Sequence, residues 1–213
     1  MPDFALEAAH GADQGRVVIG LDEAGRGPWA GPVTAAAVWL APAHLTAKFQ
    51  ANLDDSKKLA REKREAIFEE MQALASADNP PLRLGLGDAS VEEIDRLNIL
   101  QASLLAMARA VAALDLRPDA ALVDGTQAPR LDCPVTTVVG GDRKCLTIAA
   151  ASIAAKVTRD RLMARLSEAH PGYGWERNAG YGTALHREGL RRLGVSPQHR
   201  RSFRPIREAL NGR

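Results

Sequence analysis

The chain has 213 residues, of which 46% are hydrophobic and 25% charged, a composition typical of a globular protein with a sizeable core. Its longest apolar runs, such as residues 148–155, fall far short of the roughly 18 residues of a membrane span, so we expect no membrane insertion. The first 16 residues lack the basic flank and apolar run of a secretory signal, which predicts a cytoplasmic location.

Cysteine and histidine do not form a metal-binding pattern. Cys133 and Cys145 are the two cysteines, with no histidine nearby at zinc-ligand spacing, and we predict that both are reduced and structural. The five histidines show no paired spacing either, and we expect solvated or capping roles for them. We therefore assign no metal to either residue type.

The net charge of +2 is unevenly distributed along the chain. Residues 186–207 contain seven arginines and one acid, Glu188, so this stretch carries +6 and the rest of the chain −4. A basic C-terminal part beside an acidic remainder suits a polyanion that is gripped in one place and cut in another. A solvated basic helix face explains the same charges equally well.

Hydrophobic patterning predicts an α/β protein. Buried or alternating apolar runs predict five strands, and amphipathic periodicity or caps predict the helices between them. The strands are expected at residues 16–21, 33–41, 82–87, 120–123 and 135–139, and the helices at 61–75, from Ser90, and at 98–114, 148–166, 183–193 and 205–210. The first two strands are expected to pair antiparallel, and the third to contain glycine bulges.

The helix at residues 98–114 has one apolar stripe that should lie on the sheet. Leucine, methionine and valine recur there at steps of four and three, at Leu100, Leu104, Met107, Val111 and Leu114. Such a helix is the crossover that would make the fourth strand parallel to the first. The helix at residues 148–166 is rich in alanine, which should permit a close approach to the sheet.

Acidic residues directly follow three of the predicted strands. Asp22 and Glu23 come after the first strand, Asp124 after the fourth and Asp142 after the fifth. Since parallel strands bring their carboxyl ends to one edge of a sheet, these acids are expected to converge there. Any single acid in such a place is more often a helix cap or turn former, but a set of four is harder to explain in that way.

Crowded carboxylates repel one another and raise their own pKa values unless a cation neutralises them. Ligands that are all oxygen suit Mg²⁺ or Mn²⁺ better than Zn²⁺. Two such ions can activate a water and stabilise the leaving oxygen of a phosphodiester. The acid set therefore predicts metal-assisted phosphodiester hydrolysis.

The motifs that carry these acids resemble the ribonuclease HII family. Residues 18–33, VIGLDEAGRGPWAGPV, are similar to the family signature, and the resemblance extends from about residue 16 to residue 207. Further matching segments lie, in the expected order, at residues 55–59, 87–98, 122–125, 141–144, 149–160, 180–183 and 199–203.

The resemblance implies a fold and a set of site residues. The fold is a ribonuclease H-like mixed five-stranded sheet flanked by helices, with a small helical C-terminal part. The family's four metal-binding acids match Asp22, Glu23, Asp124 and Asp142. The loop that senses a ribose 2′-hydroxyl matches Gly25, Arg26 and Gly27, and the tyrosine that completes the reading of an RNA–DNA junction matches Tyr181.

The chemistry of the junction residues is consistent with these implied roles. Glycines let the backbone approach a sugar closely, and Arg26 offers a charged donor to a phosphate. On its own, Gly-Arg-Gly is more often a plain turn, and an isolated tyrosine such as Tyr181 equally often fills a core.

Basic residues supply the remaining substrate-binding candidates: Lys57, Lys156, Arg200 and Arg201. Lys156, Arg159 and Asp160 can contact phosphates or form surface ion pairs, and the ion pair is favoured for Asp160. Family members often have a lysine just before the Gly-Tyr pair, where this chain has Asn178 and Ala179, so the resemblance does not support a phosphate contact from that position.

The activity implied is that of an endoribonuclease. It would hydrolyse the RNA strand of RNA·DNA hybrids and cut 5′ of single ribonucleotides in duplex DNA with two Mg²⁺ or Mn²⁺ ions, leaving a 5′-phosphate and a 3′-hydroxyl. We expect a catalytic core at residues 1–170 and a helical substrate-binding extension at 171–213, either as two parts or as one continuous domain. No obligatory protein partner is evident, and no motif for docking on a sliding clamp follows Phe203.

Two other functions remain open. One is a ribonuclease H-like nuclease or strand transferase that acts on DNA alone, against which the Gly-Arg-Gly loop and Tyr181 argue. The other is a non-catalytic hybrid-binding protein with a basic face. Four carboxylates beside a phosphate would give a pure binding protein no advantage.

Overall fold

The structure is a computed structural model that describes residues 1–56 and 58–211. Its strands are β1 (Val18–Ala24), β2 (Val33–Leu40), β3 (Leu82–Ala89), β4 (Ala120–Asp124) and β5 (Val135–Val138). Its helices are α1 (Ala5–Ala9), α2 (Ala47–Asn52), α3 (Arg61–Ala75), α4 (Val91–Leu97), α5 (Ile99–Ala112), α6 (Leu146–Ala169), α7 (Trp175–Asn178), α8 (Ala184–Leu193) and α9 (Arg204–Asn211).

The five strands form one mixed sheet in the order β3-β2-β1-β4-β5. The pairs β1–β2 and β2–β3 are antiparallel, whereas β1–β4 and β4–β5 are parallel. The predicted mixed five-stranded sheet, the antiparallel first pair and the parallel fourth strand are confirmed. None of the helices in the described parts of the chain is long and apolar enough to cross a membrane.

Strand β1 is longer than predicted, and this changes where the first two acids lie. Pairing with β2 continues past the apolar residues, so that Asp22 faces Ala36 and Glu23 faces Ala35 in the register. Both acids therefore lie within the strand, instead of after it. Asp124 is likewise the last residue of β4.

Helix α5 packs on one face of the sheet, as predicted, but through a wider face than the predicted stripe. Of that stripe, Met107 and Leu114 are buried in the core with the sheet residues, and Leu104 and Val111 pack against it partly buried. Ala102, Ala106 and Ala110 are fully buried beside them. The close approach depends on two glycines of β3: a Cβ on Gly85 would lie 2.1 Å from the Ala110 carbonyl oxygen, and one on Gly87 2.4 Å from that of Ala106.

The glycine bulges expected in β3 are therefore wrong. Gly85 and Gly87 pair in regular register with Ala37 and Ala35 of β2. Their lack of a side chain makes room for a helix instead of an irregular strand.

Helix α6 covers the opposite face, and its small residues approach β1 as predicted. A Cβ on Gly20 would lie only 2.3 Å from the backbone carbon of Thr147. The N-terminus of α6 is capped from a distance by Glu7 of α1, whose Oε1 accepts hydrogen bonds from the Thr147 amide and hydroxyl, each at 2.8 Å. Helices α1, α2 and α7 have only four to six residues each, too few for a periodic pattern in the sequence to predict them.

Helices α7, α8 and α9 follow the end of α6 at Ala169 and form a small helical C-terminal part. Short backbone contacts join this part to the segment after β1: the Trp29 amide donates to the Gly180 carbonyl at 2.8 Å, and the Arg200 amide donates to the Trp29 carbonyl at 2.8 Å. The division at residue 170 into two parts stays a prediction.

Candidate active site

Three of the four predicted acids lie at the carboxyl end of the central parallel strands. Leu21 of β1 pairs with Val123 of β4, so the next residues along, Asp22 and Asp124, are at the same level on neighbouring strands. The Glu23 amide donates to Asp22 Oδ1 at 2.7 Å. Asp22 is 6% exposed, whereas Glu23 and Asp124 are partly exposed.

Asp142 lies in the turn Gly141–Arg143 that follows β5. The turn is tied to β4, because the Gly141 amide donates to Asp124 Oδ1 at 2.7 Å. Asp142 is 4% exposed, and its Oδ1 lies 3.8 Å from Arg143 Nε. Asp142 is thus next in the chain to Gly141, whose amide binds Asp124.

Burial and neighbouring acids raise the pKa values of Asp22 and Glu23. Burial raises the pKa of Asp22 well above its usual range, and the neighbouring charges of Glu23 and Asp124 add to this effect, while a hydrogen bond from Ser152 lowers it. Burial also raises the pKa of Glu23, against the attraction of Arg26, whose Nη1 lies 3.3 Å from Glu23 Oε1. A cation placed between these carboxylates would relieve the repulsion.

The described residues do not present a finished coordination shell. Within residues 1–56 and 58–211, no three aspartate, glutamate, histidine or cysteine side chains converge closely enough to enclose an ion. Carboxylate oxygens at a strand edge are nevertheless the donors that Mg²⁺ and Mn²⁺ prefer, so the donor chemistry fits those ions.

An open cavity of about 310 Å³ joins the acids to most of the predicted substrate-binding residues. Asp22, Glu23 and Ala24 line it together with Gly25, Arg26, Gly27, Ser56, Ser152, Lys156, Arg159 and Tyr181. Asp124 lines a neighbouring cavity that shares Glu23 and Arg26. Two serines were missed in the sequence analysis: Ser56 and Ser152 lie with their Oγ atoms 2.9 Å apart on the cavity wall.

Tyr181 points its ring towards this cavity and is 48% exposed. A Cβ on Gly27 would lie 3.2 Å from the Tyr181 ring, so the ring rests beside the Gly-Arg-Gly loop. The alternative in which Tyr181 fills the core beneath the C-terminal helices is therefore wrong. Its backbone is fixed by hydrogen bonds from the Tyr181 amide to Asn178 and from His186 Nδ1 to the Tyr181 carbonyl.

The predicted basic residues fall into different environments. Lys57 lies outside the described residues. Lys156 lines the cavity, and its Nζ is 2.8 Å from Asp160 Oδ1, which confirms the ion pair expected for Asp160. Arg201 is exposed, and its amide donates to Asp95 Oδ2 at 2.9 Å.

Arg200 requires a correction. It was predicted to contact substrate, but it is fully buried and directs its guanidinium at backbone carbonyls of the segment after β1. Arg159, considered as a phosphate contact or a surface ion pair, is 1% exposed and is held in the same way. Burial of all the donor atoms of Arg200 prevents it from gripping a duplex directly.

The histidine expectation was also wrong for two residues. His186 and His199 are fully buried, and their Nε2 atoms lie 3.0 Å apart. Tyr173 and Trp175 pack around the pair. The prediction for the cysteines is confirmed, since Cys133 and Cys145 are both free thiols.

Comparison with known proteins identifies the family. The family model described as ribonuclease HII matches residues 19–206 of this chain. The chain belongs to the ribonuclease HII family. A ribonuclease HII from Gluconobacter oxydans is 56% identical over 211 residues, which cover 99% of this chain and 97% of that protein.

Solved structures agree with the ribonuclease HII assignment at the level of the fold. The ribonuclease H2 of Pyrococcus horikoshii has a TM-score of 0.73 and 24% identity, covering 92% of this chain and 97% of that one. The Bst ribonuclease HIII, solved in complex with Mn²⁺, has a TM-score of 0.73 and 20% identity, covering 92% of this chain and 70% of that one. As a member of the ribonuclease HII family, the protein is a nuclease of the ribonuclease H class, whose enzymes use divalent metal ions.

Proposed function

We propose that the protein is an endoribonuclease that hydrolyses the RNA strand of RNA·DNA hybrids and cuts 5′ of single ribonucleotides embedded in duplex DNA. The observation that carries this proposal is one cavity whose wall contains both carboxylates, Asp22 and Glu23, and sugar-reading elements, the Gly25–Gly27 loop and Tyr181. The acids proposed to catalyse cleavage and the residues proposed to recognise the sugar thus line the same cavity.

The four acids would hold two Mg²⁺ or Mn²⁺ ions. The support is the burial of Asp22, the nearby charges of Glu23 and Asp124 that raise its pKa, and the position of Asp142 in the turn bonded to Asp124. The ions would supply an activated water and stabilise the leaving oxygen. The Mn²⁺ in the Bst ribonuclease HIII structure is consistent with such a site.

The protein's own groups orient the substrate around this centre. Lys156 lies on the cavity wall, where its ammonium can approach a phosphate. Gly25 has a φ of +100°, a conformation that favours glycine, so the chain turns sharply where it leaves β1. This turn lets backbone groups of Arg26 and Gly27 approach a ribose, and a backbone amide or carbonyl is a good discriminator of a 2′-hydroxyl.

Tyr181 would complete the reading at the next nucleotide. A flat aromatic ring packs well on a deoxyribose but meets an added 2′-hydroxyl, so it favours DNA at the position that follows the ribonucleotide. The half-exposed ring beside Gly27 supports this role. A nuclease specific for DNA alone would have no use for a loop and ring arranged in this way.

The decisive experiment maps cleavage of a DNA duplex that carries one ribonucleotide, in the presence of Mg²⁺. An all-DNA duplex and a continuous RNA·DNA hybrid of the same sequence serve as controls. We expect one cut at the phosphate 5′ of the ribonucleotide, leaving a 3′-hydroxyl upstream and a 5′-phosphate on the ribonucleotide, and no cut in the all-DNA duplex. Binding to all three without cleavage would instead identify a hybrid-binding protein, and equal cleavage of the all-DNA duplex would identify a DNA nuclease.

A further inference from the structure

Two buried arginines lie at the back of the cavity: Arg159 forms part of its lining, and Arg200 does not line it. Arg159, on α6, is 1% exposed, and Arg200, in the segment before α9, is fully buried. Neither is among the carboxylates or sugar-reading residues of the proposed activity. Their guanidinium groups instead contact the backbone of the two loops that carry the sugar-reading residues.

Arg200 holds the loop at residues 25–32 by four hydrogen bonds. Its Nε donates to the Gly31 carbonyl at 2.9 Å, and its Nη1 to the Arg26 carbonyl at 3.1 Å. Its Nη2 donates to the carbonyls of Gly25 at 2.6 Å and Pro32 at 3.0 Å. One side chain thus fixes both ends of this loop.

Arg159 connects the same loop to the turn that precedes Tyr181. Its Nε donates to the Pro32 carbonyl at 2.9 Å and its Nη2 to the Ala30 carbonyl at 3.1 Å. Its Nη1 donates to the Ala179 carbonyl at 2.9 Å, two residues before Tyr181. A Cβ on Gly25 would lie 1.9 Å from Arg159 Nε, so the guanidinium also packs directly on the Gly-Arg-Gly loop.

The direction of these carbonyls determines where the neighbouring amides point. In a trans peptide the C=O of one residue and the N–H of the next point in opposite directions, and the Gly25 and Arg26 carbonyls both point at Arg200. The amides of Arg26 and Gly27 therefore point away from Arg200. In the described parts of the chain, neither amide has a hydrogen-bond acceptor, so both are free to meet a ligand.

Both arginines keep their charge despite their burial. Burial lowers the pKa of Arg159 to about 10 and that of Arg200 to about 9, the latter also because Arg159 is close. Both groups remain protonated at neutral pH. Among the described carboxylates, none forms an ion pair with either guanidinium, so the backbone carbonyls take the place of a counter-ion. Burying two like charges is costly, and a hydrophobic pair would fill the same space at a lower cost.

We propose that Arg159 and Arg200 are positioning residues that lock the loop at residues 25–32 and the turn at residues 178–181 into one unit, and so set the selectivity for an embedded ribonucleotide. The inference rests on the proposed function. A lone ribonucleotide offers one step at which the loop must meet the ribose while Tyr181 meets the following deoxyribose. In a continuous hybrid, every step presents a ribose to the loop and no deoxyribose follows, so a fixed distance between the two elements matters less.

The test replaces each arginine by lysine, in Arg159→Lys and Arg200→Lys. Lysine retains a cationic group but cannot reach three or four carbonyls at once. The readout is kcat/KM on a DNA duplex with one ribonucleotide and on a continuous hybrid. We expect kcat/KM to fall about tenfold to a hundredfold on the single ribonucleotide and much less on the hybrid. A displacement of the loop relative to Tyr181 by about 1 Å is costly only for a substrate that must contact both.

Arg161→Lys is the matched control. Arg161 lies on the same helix and is bound by Glu65 and Glu69 of α3, away from both loops. It should leave the ratio of the two activities unchanged. If Arg159→Lys and Arg200→Lys lose kcat/KM equally on both substrates, or lose none on either, the inference is overturned. Failure of the wild-type protein to cut the single ribonucleotide would instead overturn the proposed function.

A second measurement uses the wild-type protein and so does not depend on the variants folding. The amides of Trp29, Gly31 and Arg200 donate to backbone carbonyls and tie the loop to the C-terminal part of the chain. If the loop is locked, these amides should exchange with deuterium as slowly as the amides of β1. Exchange as fast as that of an exposed loop would show that the two arginines do not hold a rigid unit and would overturn the inference.

Discussion

His199 Nε2 lies 3.0 Å from His186 Nε2 in the interior of the protein. His199 forms a β-bridge with Ala30, and His186 bonds the backbone of Tyr181. The Ser196 amide donates to His199 Nδ1 at 2.9 Å, so the proton of the His199 ring must be on Nε2. His186 Nδ1 bonds the Tyr181 carbonyl at 3.0 Å, so its proton is on Nδ1 and its Nε2 accepts from His199. The contacts are satisfied when both rings are neutral.

This pair predicts that the protein loses stability as the pH falls. Burial lowers the pKa of His199 to about 4, and burial also lowers that of His186. Between about pH 6.5 and about pH 4, the unfolded chain takes up protons that the folded protein does not, so the free energy of unfolding decreases through this window. Urea unfolding across that range should show a smaller decrease in His199→Gln than in wild type. His44 is exposed, so His44→Gln is the control. If the free energy of unfolding decreased by the same amount in His199→Gln and His44→Gln, the buried pair would not be the cause.

Replacing Tyr181 should separate the two substrates. Because the ring is half exposed and touches Gly27, Tyr181→Ala should lower kcat/KM on a single embedded ribonucleotide by about tenfold, or ~1.4 kcal/mol, with a smaller loss on a continuous hybrid. The melting temperature should change little. Tyr181→Phe keeps the flat ring and should retain the selectivity. Equal losses on both substrates with a clear drop in melting temperature would show a structural role.

The affinity predicted for the arginine-rich segment should come from its exposed members. Arg187 and Arg201 are exposed, whereas Arg200 is not, so Arg187→Ala and Arg201→Ala should each weaken binding to every duplex and reduce the salt slope of log Kd by about one. Arg191, which pairs with Glu188 at 2.7 Å, is the comparison variant and should have less effect. Fluorescence anisotropy at several salt concentrations measures the slope. If neither slope changes, these side chains form only a solvated surface.

Glu7 should stabilise α6 although it lies far away in the sequence. Its carboxylate satisfies the Thr147 amide at the start of that helix, so Glu7→Ala should lower the free energy of unfolding by about 1–2 kcal/mol. Exposed Asp13 is the matched acid, and Asp13→Ala should have little effect. Chemical denaturation of both variants gives the comparison, and equal stability of Glu7→Ala and wild type would rule out the cap.

The strands, the parallel crossover and the presence of acids near the ends of strands could be predicted because each depends on a local pattern. A run such as residues 18–21 is apolar in any context, and the acids that come close to the ends of such runs are visible in the sequence. The continuation of β1 through Asp22 and Glu23 could not be predicted in this way, because it depends on pairing with β2. Nor could the alanine part of the buried face of α5, since it depends on Gly85 and Gly87 in a strand that only the folded protein brings beneath the helix.

The buried polar residues show the same limit more clearly. Arginine is mostly exposed in proteins and histidine is often partly so, and the sequence therefore favours a solvated or substrate-binding role for Arg200 and a solvated or capping role for His199. Their burial is stabilised by partners outside their own segment: Arg200 bonds Gly25, 175 residues earlier, and His199 bonds His186 on α8. No local pattern reveals these partners.

Cleavage by Asp124→Asn shows whether the acids hold the ions that cut 5′ of a ribonucleotide. Asp124 is at the end of β4 beside Asp22. With one labelled duplex that carries a single ribonucleotide, binding and cleavage are measured together over a titration of Mg²⁺. Cleavage by Asp124→Asn should be lost at every Mg²⁺ concentration, while its Kd for the duplex should stay near that of wild type. Full cleavage by Asp124→Asn, or wild-type cleavage that persists in excess chelator, would contradict it.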